Sequence, residues 1–510
     1  MRLETMKWGG INMKMMNQKR VGGVVSTVML CTALAACSGG NTAPSAGGTA
    51  AAGGGKDKPV IKVLGPNNME EFPTGSDVNN NEMISAIREK TGFNVQWELQ
   101  PKDAEAAKQK LNVMMASGDT PDIIILNDKA TFGSFLQQGL LTPLDPLLDE
   151  VGKDVKATLT PDQWKSASYK GKIYAVRTVN FGVGTKGLLA RKDWLDTLGI
   201  KEPKTLDEFY NMLKTVKEKK PDAVPYAGAL AQGGGDLSSL EVIAGAFGQA
   251  VDYTAKDGKV VYNAVEPEAK EFLAYTNKLY NEGLLDKEAL VNKNDNVKEK
   301  LVSGKAAMST IGWADAKVIG DAIKTKDPSS NLMYIDPPTG KNGMSGVAKG
   351  QTTVKYFIIP KFSKNAKAAV EFLNKMTNKD LIDYISFGVE GKHYTKKDGK
   401  FIATPEAEKI RFRVYYNMFD TIELGLQRME QKGFAPYFEP VVKYSKQENV
   451  IDLVPPIEIV DKKSKELADL KKEYFLKIIS GALPLSAYDE YVASWKKAGG
   501  EEVLKALSDA

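Results

Sequence analysis

The chain has 510 residues, 42% of them hydrophobic and 26% charged, with a formal net charge of +5, two cysteines and one histidine. A zinc centre built on clustered histidine and cysteine is excluded, as is any histidine-based triad whose base is not His393. Five of the 69 Lys and Arg residues but only one of the 64 acids precede Cys37, so the remainder is close to neutral and nothing in it calls for nucleic acid or an anionic surface as partner.

Lys14, Lys19 and Arg20 precede an apolar stretch from Val21 to Ala36 that is interrupted by Gly22, Gly23, Ser26 and Thr27. This falls short of the about 20 mostly apolar residues of a membrane-spanning helix, so it reads as a secretory signal. Met13, Met15 or Met16 gives a more usual signal length than Met1. Leu34-Ala35-Ala36-Cys37 resembles the lipobox of bacterial lipoproteins, whose cysteine carries diacylglycerol; the alternative is an ordinary signal with an incidental cysteine. The resemblance implies that residues 1–36 are removed and that Cys37 anchors the chain by lipid on the extracellular face of the cell membrane. Residues 37–58, rich in Gly, Ala, Ser and Thr, then form a flexible tether with a root-mean-square reach of roughly 25 Å. Cys31 leaves with the signal and Cys37 is acylated, so no disulfide remains and stability rests on core burial.

The body from about Lys56 to Ala510 exceeds what one hydrophobic core usually serves, so two lobes or more are expected. Val60 to Leu64 reads as a buried strand, Asn81 to Thr91 as a helix, and Phe93 to Leu99 alternates Val95, Trp97 and Leu99. Asp103 is placed to cap a helix that ends near Gly118, and Asp122 to Leu126 carries the run Ile123-Ile124-Ile125-Leu126. Continuous Val/Ile/Leu strands alternating with helices predict a parallel sheet covered on both faces. A second α/β unit starts near Val176. It has a strand from Gly187 to Arg191, then a helix opened by a Thr205–Glu208 capping box with Leu206, Phe209, Leu213 and Val216 on one face. Pro267 starts a further helix with Phe272, Tyr275 and Leu279 on one side and Gly283 as its stop. Ala306 to Ile311 reads as a strand, Ala366 to Thr377 as an amphipathic helix, and the last fifty residues as helical around Leu467, Leu470, Phe475 and Ile479.

LNVMMASGDTPDIIIL (Leu111 to Leu126), YKGKIYAVR (Tyr169 to Arg177), LLARKDWLDTLGIKEPKTLDEF (Leu188 to Phe209), LYNEGLLDKEA, LVSGKAAMSTIGWA and FGVEGKHYT (Phe387 to Thr395) resemble, in this order, segments of the extracellular solute-binding lipoproteins of ABC importers, in the long-chain branch that handles oligosaccharides. The resemblance spans almost the whole body. It implies an α/β, two-lobe, periplasmic-binding-protein-like clamp with three inter-lobe crossovers, near Val176, Gly350 and Tyr394. Lobe 1 is then 59–176 with 350–394, and lobe 2 is 177–349 with 395–510. An oligosaccharide ligand in the cleft, a closed form that docks on ABC permease subunits in the membrane, a monomeric state and the absence of covalent chemistry or cofactor are implied as well. Some relatives carry an acidic loop with EF-hand-like spacing where this chain runs KEKKPDAVPYAG. That stretch lacks the repeated Asp and Asn oxygens calcium requires, so no structural calcium is expected.

Sugars present hydroxyls that need planar polar partners and C–H faces that favour aromatic rings. Trp313, after Ile311-Gly312 at a strand end, sits where the family places a stacking ring; the alternative is a tryptophan packed under the inter-lobe interface. Asn67 and Asn68 follow the first strand, as ligand contacts or as turn residues. Asn127 and Asp128 end a buried strand, and Asn180 lies just past the first crossover, with the same two readings. Asp119 is a further ligand candidate, although SGDTPD reads first as a helix stop and tight turn. Tyr356 either reaches the cleft or sits in the core, and His393 and Tyr394 follow Glu390-Gly391 in a hinge loop, as pocket contacts or hinge packing. Trp194 is assigned to the packing of its helix.

Two phosphate motifs fail. Gly182, Gly184 and Gly187 spell G-x-G-x-x-G, but a strand follows, so no helix N-terminus meets a pyrophosphate. GGGDLSSLE from Gly233 lacks the lysine and threonine of a phosphate loop. Two other functions stay open from the residues alone. One is a secreted glycoside hydrolase or lyase, for which two carboxyls about 5 to 9.5 Å apart suffice; the other is a receptor of the same fold for peptides or another polar solute.

Overall fold

The computed structural model describes residues 59–68, 70–179, 185–230, 237–350, 353–398 and 400–510. Residues 1–58, Asn180 and the glycines at 182, 184 and 233, for which expectations are given above, lie outside these. Among the described residues no helix is long and apolar enough to cross a membrane.

The two larger sheets are built from β1 (Val60–Gly65), β2 (Asn94–Leu99), β3 (Ile123–Leu126), β4 (Ala175–Val179), β5 (Lys186–Arg191), β6 (Val224–Tyr226), β7 (Ala306–Gly312), β8 (Leu332–Ile335) and β9 (Thr353–Ile358). The first has the order β2-β1-β3-β9-β4. β1 runs parallel to β2 and β3, while β9 is antiparallel to β3 and β4; hence β1 to β4 point one way and β9 opposes them. The second sheet has the order β8-β5-β7-β6. β7 is parallel to β6, and β5 is antiparallel to both β7 and β8.

Local sequence accounts for these elements. The four residues of β3 have no polar member and none is more than 2% exposed, which suits a strand covered by helices on both faces. Helix α1 (Glu82–Thr91) begins where the Asn81 side chain accepts the N–H groups of Met83 and Ile84, and it buries Met83, Ile84 and Ile87. Helix α2 (Ala104–Ser117) is capped by Asp103 and stopped by Gly118 at φ +77°, as the spacing predicts; each such cap stabilises by about 1 kcal/mol. The Thr205–Glu208 capping box forms, and the helix Leu206–Lys219 buries Phe209, Met212, Leu213 and Val216. Leu206 remains only partly covered, and Met212 completes the stripe instead.

The buried side chains divide into two main cores. One gathers on the first sheet around Val63, Ile124, Phe357 and Phe372. The other gathers on the second sheet around Leu189, Phe209, Tyr226 and Met308 and takes in the C-terminal helices through Leu467, Phe475, Tyr491 and Trp495. Trp495 lies flat on Tyr262, with ring centroids 5.3 Å apart and planes 9° off parallel.

The expected boundary at Tyr394 is displaced. Ile410, Phe412, Tyr415, Tyr416, Met418 and Phe419, expected in lobe 2, belong to the first core, and the chain rejoins the second with Val441 and Tyr444. The reason is aromatic packing. The hairpin Tyr394–Lys397 with Lys400–Ala403 lays Phe401 on Phe387 at 4.0 Å, and Phe412 and Tyr415 flank Phe72 at 5.1 and 5.4 Å. Tyr416 is fully buried. Its hydroxyl donates to Val78 O at 2.6 Å and accepts from Asn81 Nδ2 at 2.7 Å, so it supports the residue that caps α1.

Tyr416→Phe strands both partners and is expected to lower the unfolding free energy by about 1–3 kcal/mol. Urea denaturation of wild type and variant measures this; equal midpoints and slopes would mean that the two hydrogen bonds of the Tyr416 hydroxyl add nothing to the stability of the first core.

Candidate functional site

Strand direction locates the site. The carboxyl ends of β1, β2, β3 and β4, at Gly65, Leu99, Leu126 and Val179, share one edge of the first sheet, where β9 enters at Thr353. In the second sheet β7 and β8 end at Gly312 and Ile335, beside the start of β5 at Lys186. Two stretches of chain tie these edges together. Val179 and Lys186 are separated by at most about 25 Å of extended chain, and Ala348 and Thr353 by at most about 18 Å. Ala348 belongs with the second body, since its strand pairs with Ser445–Gln447 and its N–H donates to Glu241 Oε1 at 3.0 Å. The first passage keeps the two carboxyl edges no more than about 25 Å apart at Val179 and Lys186, and it is at such edges that α/β sheets open a binding crevice.

Half of the expected residues lie at these edges. Asn67 and Asn68 follow β1. Tyr415 donates its hydroxyl to Glu70 O at 2.6 Å and lies 3.2 Å from Asn67 Oδ1, which pins this loop, while Asn68 is exposed. Asn127 is exposed at the end of β3. Asp128 turns back to cap helix α3 (Lys129–Gln137), its Oδ1 accepting the Thr131 N–H at 2.6 Å. Trp313 directly follows β7 and opens the helix Trp313–Lys326. Its half-buried ring meets Phe434 and Phe438 edge-on at 5.2 and 5.4 Å.

Four others are placed elsewhere. Tyr356 is 3% exposed and stacks on Phe132 at 4.6 Å within the first core. His393 is 1% exposed. Its Nδ1 accepts the Val389 N–H at 2.9 Å, leaving Nε2 3.7 Å from Glu82 Oε1, and burial holds the imidazole below its ordinary pKa despite Glu82. It holds a turn shut. Tyr394 packs with Phe387 and Phe401. Asp119 is exposed in the turn before β3, at the opposite end of that strand from Asn127. Asn180 is not among the described residues.

Sequence reasoning missed Lys129, whose partners lie more than 300 residues away. Its ammonium donates to Ile451 O at 2.7 Å and Val454 O at 2.6 Å, and Gln137 Nε2 donates to Asp461 Oδ2 at 3.2 Å. Gly133 lies between them on α3, where a Cβ would come within 2.9 Å of both Pro456 and Asp461. Burial brings the Lys129 pKa down to about 8 against the attraction of Asp452 and Asp461, whose own carboxyls burial pushes up. The two bodies meet here through charge-assisted hydrogen bonds. A cavity of about 860 Å³ opens beside β4, lined among others by Arg177, Thr178, Phe419 and Leu424; none of the ten expected residues lines it.

The family described as bacterial extracellular solute-binding protein matches residues 81–381. "Lipoprotein LipO" of Bacillus subtilis (strain 168) is 26% identical over 491 residues, 88% of this chain and 92% of its own. A "Carbohydrate ABC transporter substrate-binding protein" of Streptococcus pneumoniae serotype 4 is 30% identical over 390 residues, 74% of this chain and 72% of its own. Among solved structures, an "HMO binding ABC-transporter associated Solute Binding Protein" from Bifidobacterium longum infantis superposes with a TM-score of 0.70 at 19% identity, over 89% of this chain and 98% of that one.

Lys129→Ala removes the donor from Ile451 and Val454. Hydrogen exchange across residues 448–461 of the ligand-free protein is expected to accelerate about fivefold, as the loss of a net ~1 kcal/mol of contact implies; unchanged protection would show that the contact adds nothing.

Proposed function

Since the chain belongs to the family of bacterial extracellular solute-binding proteins, we propose that it is a lipid-anchored receptor that captures an oligosaccharide and delivers it to the permease of an ABC importer. The observation that carries this reading is the pairing of surfaces at the two carboxyl edges. Trp313 stands at the end of β7 with an aromatic wall behind it, and the amide side chains of Asn67, Asn68 and Asn127 stand at the ends of β1 and β3. A flat ring on one side and planar amides on the other match the C–H faces and hydroxyls of a sugar. The relative named as a carbohydrate transporter component supports the same ligand class, and the relative named as a lipoprotein supports anchoring through Cys37.

A ligand that touches both bodies favours the conformation in which they approach, and that conformation is the one a permease reads. The chemistry is capture and release. Micromolar affinity, about −8 kcal/mol, suffices for it. The protein acts as a monomer, with no nucleic acid or cofactor.

Titration calorimetry of the soluble body against a panel of plant, algal and host oligosaccharides tests the ligand class. At least one sugar is expected to bind, and Trp313→Ala is expected to weaken it about tenfold or more while the ligand-free protein still unfolds cooperatively. A broad panel without heat or saturation would contradict an oligosaccharide ligand. Anchoring is tested separately, since Cys37→Ser is expected to move the protein from the membrane fraction to the medium; full membrane retention would contradict the lipid anchor.

A further inference from the structure

Trp97, Trp164 and Trp495 lie inside the two cores, where packing fixes their rings. Trp313 is half-buried at the open carboxyl edge of the second sheet. The last torsion of a tryptophan side chain is intrinsically broad, so at an open edge neighbours have to set the plane of the ring. The backbone is fixed by the sheet: Trp313 N–H donates to Thr185 O at 3.0 Å, beside the pairing of Gly312 with Lys186. The side chain is not. A helical side chain leans toward the helix N-terminus, over the preceding turn, and as the first residue of its helix Trp313 has no preceding turn to lean on.

The support comes from far downstream. The helix Ile422–Gln431 stays with the first body: Leu424 is buried with Phe387 and Tyr394 in a cluster that shares Ile382 with the first core, and Arg428 donates to Ser386 Oγ at 3.2 Å. The chain leaves that helix through a Schellman motif. Gly433 takes φ +72°, its N–H donates to Glu430 O at 2.9 Å, and the Phe434 N–H donates to Met429 O at 2.9 Å. These bonds fix the backbone of Phe434 against the helix it has just left. Phe434 opens the next helix, Ala435–Tyr444, where the Phe438 N–H donates to Phe434 O at 2.8 Å, so the two rings stand on one face, a turn apart. They meet the indole at 5.2 and 5.4 Å, with planes 81° and 89° from its own. Two turns along the Trp313 helix, on the same face, Gly320 leaves room for Tyr437: a Cβ there would come within 2.5 Å of its hydroxyl. The two helices are matched along that face, and the match begins at Trp313.

We propose that Phe434 and Phe438 are positioning residues for the sugar site: they hold the Trp313 ring in the plane in which it receives a sugar face. The ring is anchored by the second sheet through Thr185 and braced by chain arriving from the first core. This rests on the oligosaccharide reading above and adds to it the residues that set how tightly the aromatic side of the site binds.

Fluorine NMR of the full mature chain, grown with 5-fluorotryptophan and free of sugar, tests the brace. Of the six tryptophans only Trp8 precedes Cys37, and Trp313→Phe identifies the Trp313 signal among the rest. Phe434→Leu and Phe438→Leu are each expected to move and broaden that signal while the other tryptophan signals keep their positions, and Phe434→Tyr is expected to leave it in place. Phe434 is half-exposed, so Phe434→Leu carries the test if Phe438→Leu does not fold. For the tightest-binding member of the oligosaccharide panel above, Phe434→Leu is expected to raise Kd about three- to tenfold, the range of one aromatic pair, and Phe434→Tyr to restore it. A Trp313 signal that Phe434→Leu leaves unmoved overturns the proposal, as does an unchanged Kd in that variant; both leave the oligosaccharide reading standing. A panel in which no sugar binds overturns that reading and the proposed role in affinity with it, while the fluorine signals decide the brace on their own.

Discussion

Everything in this molecule depends on the direction in which two sheets point. β1 to β4 deliver their carboxyl ends to one edge, and β7 and β8 deliver theirs to another. Two short chain passages oblige those edges to stay together. Once that is fixed, the residues just past each strand acquire a common neighbourhood although they are scattered from Asn67 to Trp313. No single residue creates the crevice; it follows from parallel strands, each of which must end in a turn whose backbone and side chains are free of the ladder.

The two bodies are held differently inside and between. Within each, burial of apolar side chains does most of the work, at about 25 cal/mol per Å² removed from water. Between them, the described cross-contacts at α3 are hydrogen bonds from Lys129 and Gln137 to carbonyls and a carboxylate. Such bonds exchange readily with water, with a net contribution of about 0.5–3 kcal/mol each. Contacts of this kind cost less to break than the apolar burial inside each core.

Much of this was legible in the sequence where a local rule has a local answer. Asp103 with Gly118, the Thr205–Glu208 box and the unbroken apolar run of β3 each name an element and its limits, because capping and two-faced burial are decided within a few residues. The position of Trp313 directly after a strand end followed from the same logic. What stayed undecided or was missed depended on distant partners. Tyr356 was open between cleft and core, and the ring of Phe132, more than 200 residues upstream, places it in the core. The segment 405–419 has no periodicity that announces which core it joins; Phe72, far upstream, decides it. Lys129 reads as an ordinary first-turn residue, and only the fold places the carbonyls of Ile451 and Val454 above it.

Small-angle X-ray scattering of the soluble body, alone and saturated with a bound sugar, measures most directly whether two separately cored bodies close on a solute. Closure about the connecting passages predicts a smaller radius of gyration in the loaded protein. A radius unchanged between the empty and saturated states, at confirmed saturation, would contradict it.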